Sequence, residues 1–194
     1  SGTLTIGGNL SATTDAGNGV VNLGTLAVDG TVALTTHGSG DATVVNDAAL
    51  TFAASSVAGA LSATATTGNI IDNATVTVGG NFAVTATAVD ATVNLGTLAV
   101  DGTVALTTNG SSGNVTVVND AGLAFAASTV DGTLSATATT GDISDSGAQT
   151  ILGAATYITS ATGSNIILDH ASNTYAAGVT FKAETDGSEA FGNL

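Results

Sequence analysis

The sequence predicts an all-β chain folded as a parallel β-helix, a β-solenoid of about eight rungs with three short strands per rung. Three observations point there. The stretch "VNLGTLAVDGTVALTT" runs from Val21 to Thr36 and recurs, letter for letter, from Val93 to Thr108. Short apolar strands followed by alternating Thr/Ser/Ala strands recur at near-regular intervals along the whole chain. The composition is also strand and turn material. Of 194 residues 26 are Gly, 4% are aromatic, and none is Pro, Cys, Met or Trp, leaving the small, β-branched and turn-forming residues that favour strands and tight turns.

The long repeat covers nearly everything. Residues 5–76 align with residues 77–149, and a partial third copy fills 150–194. Self-similarity on this scale is the signature of a repeat architecture, so residues 1–194 are read as a single β-solenoid segment. The second copy carries one added residue near Ser111 to Gly113, inside a Gly/Ser turn where length is easily absorbed.

Each rung opens on a short apolar strand, with Leu4 and Ile6, Leu26 and Val28, Val76 and Val78, or Leu98 and Val100 pointing inward. The second strand is anchored at Leu10, Val32, Leu61, Phe82, Val104, Leu134, Ala155 and Val179. Two of the intervals, Val32 to Leu61 and Val104 to Leu134, are longer than the rest. After the anchor the pattern has period two. Leu61, Ala63 and Ala65 alternate with Ser62, Thr64 and Thr66, which describes a strand with one buried face. A third strand follows, with Val21 and Leu23, Val44, Ile70, Val93 and Leu95, Val117, Ile143, and Ile166 and Leu168 as inward residues. On this register Leu10, Val32, Leu61, Phe82, Val104, Leu134 and Val179 form one core stack, with three rungs per long repeat. Eight rungs at ~4.8 Å make a rod roughly 38 Å long. The repeated sentence then follows from equivalent residues stacking in one column. Evenly spaced short strands also suit a β-sandwich or barrel, which is the alternative.

Charge narrows the partners. The only basic side chain is Lys182 against fifteen Asp and Glu, a formal net charge of −14. Nucleic acid and anionic membrane surfaces both call for Lys and Arg, so neither is expected. No apolar run reaches the length of a transmembrane helix. The lack of cysteine fits a secreted bacterial product that does without disulfides. The opening Ser-Gly-Thr-Leu-Thr-Ile reads as mid-phrase, so the chain is expected to be a piece of a longer one.

The phrases "VGGNFAVTATA" from Val78, "GDI" at Gly141 to Ile143 and "LDHASNTYAAGVTF" from Leu168 resemble the repeat region of filamentous-haemagglutinin-type bacterial adhesins, along nearly the full length. The resemblance implies a right-handed β-helix shaft, exported through an outer-membrane partner and projecting from the cell. The two-partner secretion domain of such proteins is not visible in these residues.

No catalytic constellation stands out, and the chain is not read as an enzyme. His37 and His170 fall in different repeats, and His37 is replaced by Asn109 in the second copy; both read as turn residues. Cofactors are expected to be none, with calcium as the minor alternative at the oxygen-rich turns "DAGN" at Asp15, "GSGD" ending at Asp41, "VVNDA" ending at Ala48 and Ala121, and "TDGSE" at Thr185. Asp and Asn also occupy turns for their local backbone bonds. The candidate site is an outward Thr ladder: Thr13, Thr35, Thr64, Thr85, Thr107 and Thr137. The expected role is structural, an extracellular shaft segment of a bacterial surface adhesin or filament. The alternatives are a head-to-tail filament subunit and an ice- or glycan-binding module using the ladder. Expected partners are neighbouring rungs or further copies end to end, and a host or environmental glycan.

Overall fold

A computed structural model describes residues 2–185 and 188–190. The described residues wind through nine turns, and every turn crosses one sheet (sheet I) and then a second (sheet II). Turn 1 is β1 (Leu4–Ile6) and β2 (Leu10–Thr13), and turn 2 is β3 (Val21–Val28) and β4 (Thr31–Thr35). Turn 3 is β5 (Ala42–Asn46), β6 (Leu50–Phe52) and β7 (Ser55–Val57), and turn 4 is β8 (Leu61–Ala65), β9 (Ile70–Asp72) and β10 (Val76–Val78). Turn 5 is β11 (Phe82–Val89) and β12 (Val93–Val100), and turn 6 is β13 (Thr103–Asn109) and β14 (Val115–Asn119). Turn 7 is β15 (Leu123–Phe125), β16 (Ser128–Val130) and β17 (Leu134–Ala138). Turn 8 is β18 (Ile143–Asp145), β19 (Gln149–Ile151) and β20 (Ala155–Thr159). Turn 9 is β21 (Ile166–Ile167), β22 (Thr174–Tyr175) and β23 (Val179–Thr185), after which β24 (Ser188–Ala190) turns back antiparallel on β23.

Among the described residues each sheet has twelve strands, and every pairing except β23 with β24 is parallel. Most partners are one turn of 21 or 22 residues apart, as in Leu61 with Phe82 and Leu10 with Val32, and the extremes are Ala42 with Leu61 and Ala155 with Val179. This even winding corrects the expected register. The long interval from Val32 to Leu61 is not one long rung: Val32 pairs with Phe52 in sheet II, while Leu61 pairs with Ala42 and Phe82 in sheet I. The long interval from Val104 to Leu134 behaves alike, since Val104 pairs with Phe125 while Leu134 pairs with Val115. A rung stretched over either interval would leave several backbone groups without partners, and even winding gives the strands a neighbour on each side.

The count per repeat changes accordingly. The long repeat, residues 5–76 in its first copy, spans three and a half turns rather than three. The identical stretches therefore do not stack, because Val21–Val28 runs in sheet I and Val93–Val100 in sheet II. They are related by half a revolution about the rod axis.

The inward residues pack as one continuous core between the sheets. Val32, Leu61, Phe82, Val104 and Leu134 are all buried, while Leu10 and Val179, at the outermost turns described, are half-buried. They form three columns: Leu10 and Val32 in sheet II, Leu134 and Val179 in sheet II two residues away in register, and Leu61, Phe82 and Val104 in sheet I. Across the core the rings of Phe52 and Phe82 meet edge to face, with centroids 6.3 Å apart, a favoured aromatic geometry.

Several of the inward polar residues serve the backbone. The register of β3 on β5 shifts between Leu23 and Leu26, and that of β12 on β14 between Leu95 and Leu98. Such bulges leave ladder groups unpaired. At the first, buried Asn46 accepts from the Val28 N–H at 2.8 Å and donates to the carbonyls of Val28 and Ala49 at 3.0 and 2.7 Å. At the second, Asn119 makes the same three bonds with Val100 and Gly122, at 2.8, 3.0 and 2.7 Å. Thr36 and Thr108 close the neighbouring loops by donating to the carbonyls of Gly40 and Gly113. The inserted residue of the second copy sits inside the second loop and leaves this closure intact.

Candidate functional site

The register divides the expected Thr ladder between the two faces. Thr13 pairs with Thr35 in sheet II, Thr64 with Thr85 and Thr85 with Thr107 in sheet I, and Thr137 lies in sheet II between Val118 and Ile158. The six threonines are thus not one column. A different column of six exists. From Thr107 it continues through Thr129, Thr150 and Thr174, so that Thr64, Thr85, Thr107, Thr129, Thr150 and Thr174 lie one per turn along sheet I. Sheet II carries the shorter counterpart Thr13, Thr35, Ser56 and Thr77.

Sequence reasoning misses the second half of the long column because Thr129 and Thr150 sit in the short strands "STV" and "QTI". Those are too short to show alternation. The signal that finds them is spacing, since the members from Thr64 to Thr174 follow one another at nearly equal intervals along the chain. Each β-branched side chain suits the extended backbone and packs against its neighbour one turn away. Beside Thr64, Thr85 and Thr107, small residues Ser62, Ala83 and Ala105 floor a shallow trough of about 360 Å³ edged by Asp41, Asn81 and Thr103.

Asp and Asn side chains at the turns accept hydrogen bonds from the backbone of the next turn. Asn9 accepts from the Thr31 N–H and Asn81 from the Thr103 N–H, at 2.9 and 3.0 Å. Asn18 accepts from Ser39, Asp41 and Asn114 from Ala60 and Thr133, and Asn69 and Asp142 from Thr92 and Asn165. Asp72 holds both Gly96 and Thr97, and Asp145 holds Asp169. A carboxylate or amide oxygen bonded to a backbone N–H satisfies a donor at the corner that no strand reaches. In the turns read as calcium candidates, Asn18 and Asp41 are therefore engaged as staples, and the amides of Asn46 and Asn119 make the core bonds. The "TDGSE" phrase runs through Asp186 and Gly187, which lie outside the described residues. Among the described residues no group of three or more His, Asp or Glu is placed to hold a metal ion.

The two histidines stay apart. His37 lies 2.9 Å from the Thr14 carbonyl through Nδ1, and Asn109 donates to the Thr87 carbonyl at the matching place in the second copy. His170 Nδ1 accepts from the Ser172 N–H within its own turn.

The last turns hold a cluster of rings. Phe125 meets Tyr157 edge to face, Phe181 stacks on it, and the Tyr157 hydroxyl is 3.1 Å from that of Tyr175. Burial, foremost, pushes the Tyr157 phenol far above its ordinary range, and the Tyr175 hydrogen bond adds to it. Burial also raises Tyr175, whose bond to Tyr157 works in the other direction. Beyond the rings a cavity of about 500 Å³ is walled by Ile166, Leu168 and Phe181, and the buried Thr159 hydroxyl on its wall has no protein partner among the described residues.

Comparison with known proteins adds one match. The model of a family described as repeats of unknown function (DUF5649) matches residues 39–90 and 112–182, more than half of the chain. The two matched blocks start at equivalent positions of the long repeat, Ser39 and Ser112. No curated protein and no solved structure matches the chain.

Proposed function

We propose, from the premise that the chain belongs to the DUF5649 family of repeats, that it is a shaft segment of an extracellular bacterial adhesin or filament. The observation that carries this reading is the unbroken stacking of nine parallel turns around one apolar core, with turn after turn stapled to the next through Asp and Asn. In such an architecture stability is a sum of turn terms and nearest-neighbour interfaces. Length and stiffness are then the working properties, and each added turn lengthens the rod by ~4.8 Å.

The composition supports an exposed location. Lys182 is the only Lys or Arg in the chain, which leaves a trypsin-like protease a single site. The phrases that resemble the repeat region of filamentous-haemagglutinin-type adhesins support a bacterial surface rather than another setting. The column of six threonines favours a second reading, in which one face also rests against an uncharged glycan or ice surface.

Small-angle scattering of the purified chain, with electron microscopy across a concentration series, tests the first reading. Separate rods of roughly 43 Å, the length of nine turns at ~4.8 Å, are expected. A compact, equant particle would overturn it.

A further inference from the structure

The long repeat is an odd number of half-turns. Corresponding strands of successive copies are β1, β10 and β19, which begin at residues 4, 76 and 149 and lie in sheet I, sheet II and sheet I. Smaller structural details follow the same alternation. The core amide of Asn46 serves sheet I and its counterpart Asn119 sheet II. The buried Ser55 and Ser128 each accept from a backbone N–H one turn away, Leu34 in sheet II and Leu106 in sheet I. The staples recur in pairs too: Asn18 to Ser39 with Asp90 to Ser112, and Asp41 to Ala60 with Asn114 to Thr133. Both sheets accept the same sequence because a half-turn in either can be one long strand, such as β3 or β12, or two short ones, such as β6 with β7 or β15 with β16.

We infer that the number of repeat units sets which side of the rod its downstream surface faces. Each unit inserted turns everything after it through half a revolution, and a second unit restores the original side. A feature written once per unit therefore appears alternately on opposite faces, about 17 Å further along the axis each time, from 3.5 turns at ~4.8 Å. The threonine columns already behave this way, with Thr13, Thr35, Ser56 and Thr77 on sheet II and Thr85, Thr107, Thr129 and Thr150 on sheet I. Duplication and loss of units in such a rod change its facing as well as its length. This holds whatever the rod carries, so it does not depend on the adhesin reading.

Pulsed electron paramagnetic resonance between spin labels tests it. Thr129 and Thr174 lie two turns apart in one column; labels are placed at Thr129→Cys and Thr174→Cys, and a copy of residues 77–149 is inserted once or twice after Gln149. One insertion is expected to give a distance well beyond the axial rise of roughly 26 Å, because the vector crosses the rod. Two insertions are expected to give the axial rise alone, roughly 43 Å. A one-unit distance equal to its axial rise would overturn the inference. The chain without insertions supplies a second measurement that does not depend on the inserted forms folding. Thr35→Cys with Thr107→Cys is expected to read clearly longer than Thr85→Cys with Thr150→Cys, although their axial separations, about 17 and 14 Å, are close. Equal distances would also overturn it.

Discussion

Leu106 and Thr107 are adjacent in β13 and point to opposite sides, which allows the inside and outside of the turn to be tested with a pair of neighbouring substitutions. Leu106 is fully buried, paired with Val84 in the preceding turn, and its N–H is held by the Ser128 hydroxyl of the next. Truncating a buried Leu costs about 2–5 kcal/mol. Leu106→Asp adds a carboxyl group whose polar neighbour in the column, the Ser128 hydroxyl, is already engaged by the Leu106 N–H and the Ala126 carbonyl, at about 2 kcal/mol or more even when it takes up a proton. The total, at least about 4 kcal/mol, falls on one turn. In a one-dimensional stack the loss is local, so turns 5 to 7 open before the ends do. Hydrogen exchange read by mass spectrometry should show β11, β13 and β14 losing protection while β5 and β20 keep theirs. Thr107→Asp places its charge in solvent between Thr85 and Thr129 and should change stability by less than about 0.5 kcal/mol. If both variants exchange alike, the assignment of inward and outward residues in sheet I is wrong.

The core amides offer a matched pair. Asn119→Leu leaves the N–H and carbonyl of Val100 and the carbonyl of Gly122 without a partner, at about 1–3 kcal/mol for each buried group. Asn46→Leu should cost the same within error in urea unfolding, because both amides make the same three bonds; a large difference would mean that the bulges are not equivalent. Alkaline titration of tyrosine absorbance reads the buried phenols. Since burial raises both Tyr157 and Tyr175 in the folded state, the unfolded chain releases their protons first, near pH 10. The contribution of the two phenols to stability is therefore complete below about pH 10 and declines as pH rises above it. The expected curve is a late, cooperative ionisation coincident with unfolding. Ordinary titration of both tyrosines in a chain that stays folded would count against the ring cluster.

Much of the fold is legible in the residues because alternation states directly which side chains face in. Leu61, Phe82 and Val104 do stack in consecutive turns, as their phrases indicate. The winding is harder to read for a physical reason. Both sheets use the same alternating pattern, so a strand that begins a half-turn looks like a strand that begins a turn. The short strands "LTF" at Leu50 and "LAF" at Leu123 carry too little pattern to announce themselves, and overlooking them merges one and a half turns into one. The Thr column suffers from the same confusion, since shared phrases and distance along the chain select different members. The staples are visible as Asp and Asn at turns, but a turn-former and an inter-turn acceptor have the same composition. Only the register tells which N–H each one reaches.

The aspartates among those staples also fix where part of the charge sits. Fourteen net negative charges on a rod of roughly 43 Å amount to about one for every 3 Å of axis, roughly half the linear density of duplex DNA. At physiological salt such a field decays over about 8 Å, far enough to keep two parallel rods from settling side by side. Flat, neutral, β-rich faces would otherwise invite lateral sheet-to-sheet association. The Asp staples thus do two things at once, tying one turn to the next along the rod and adding to the charge that keeps neighbouring rods apart sideways.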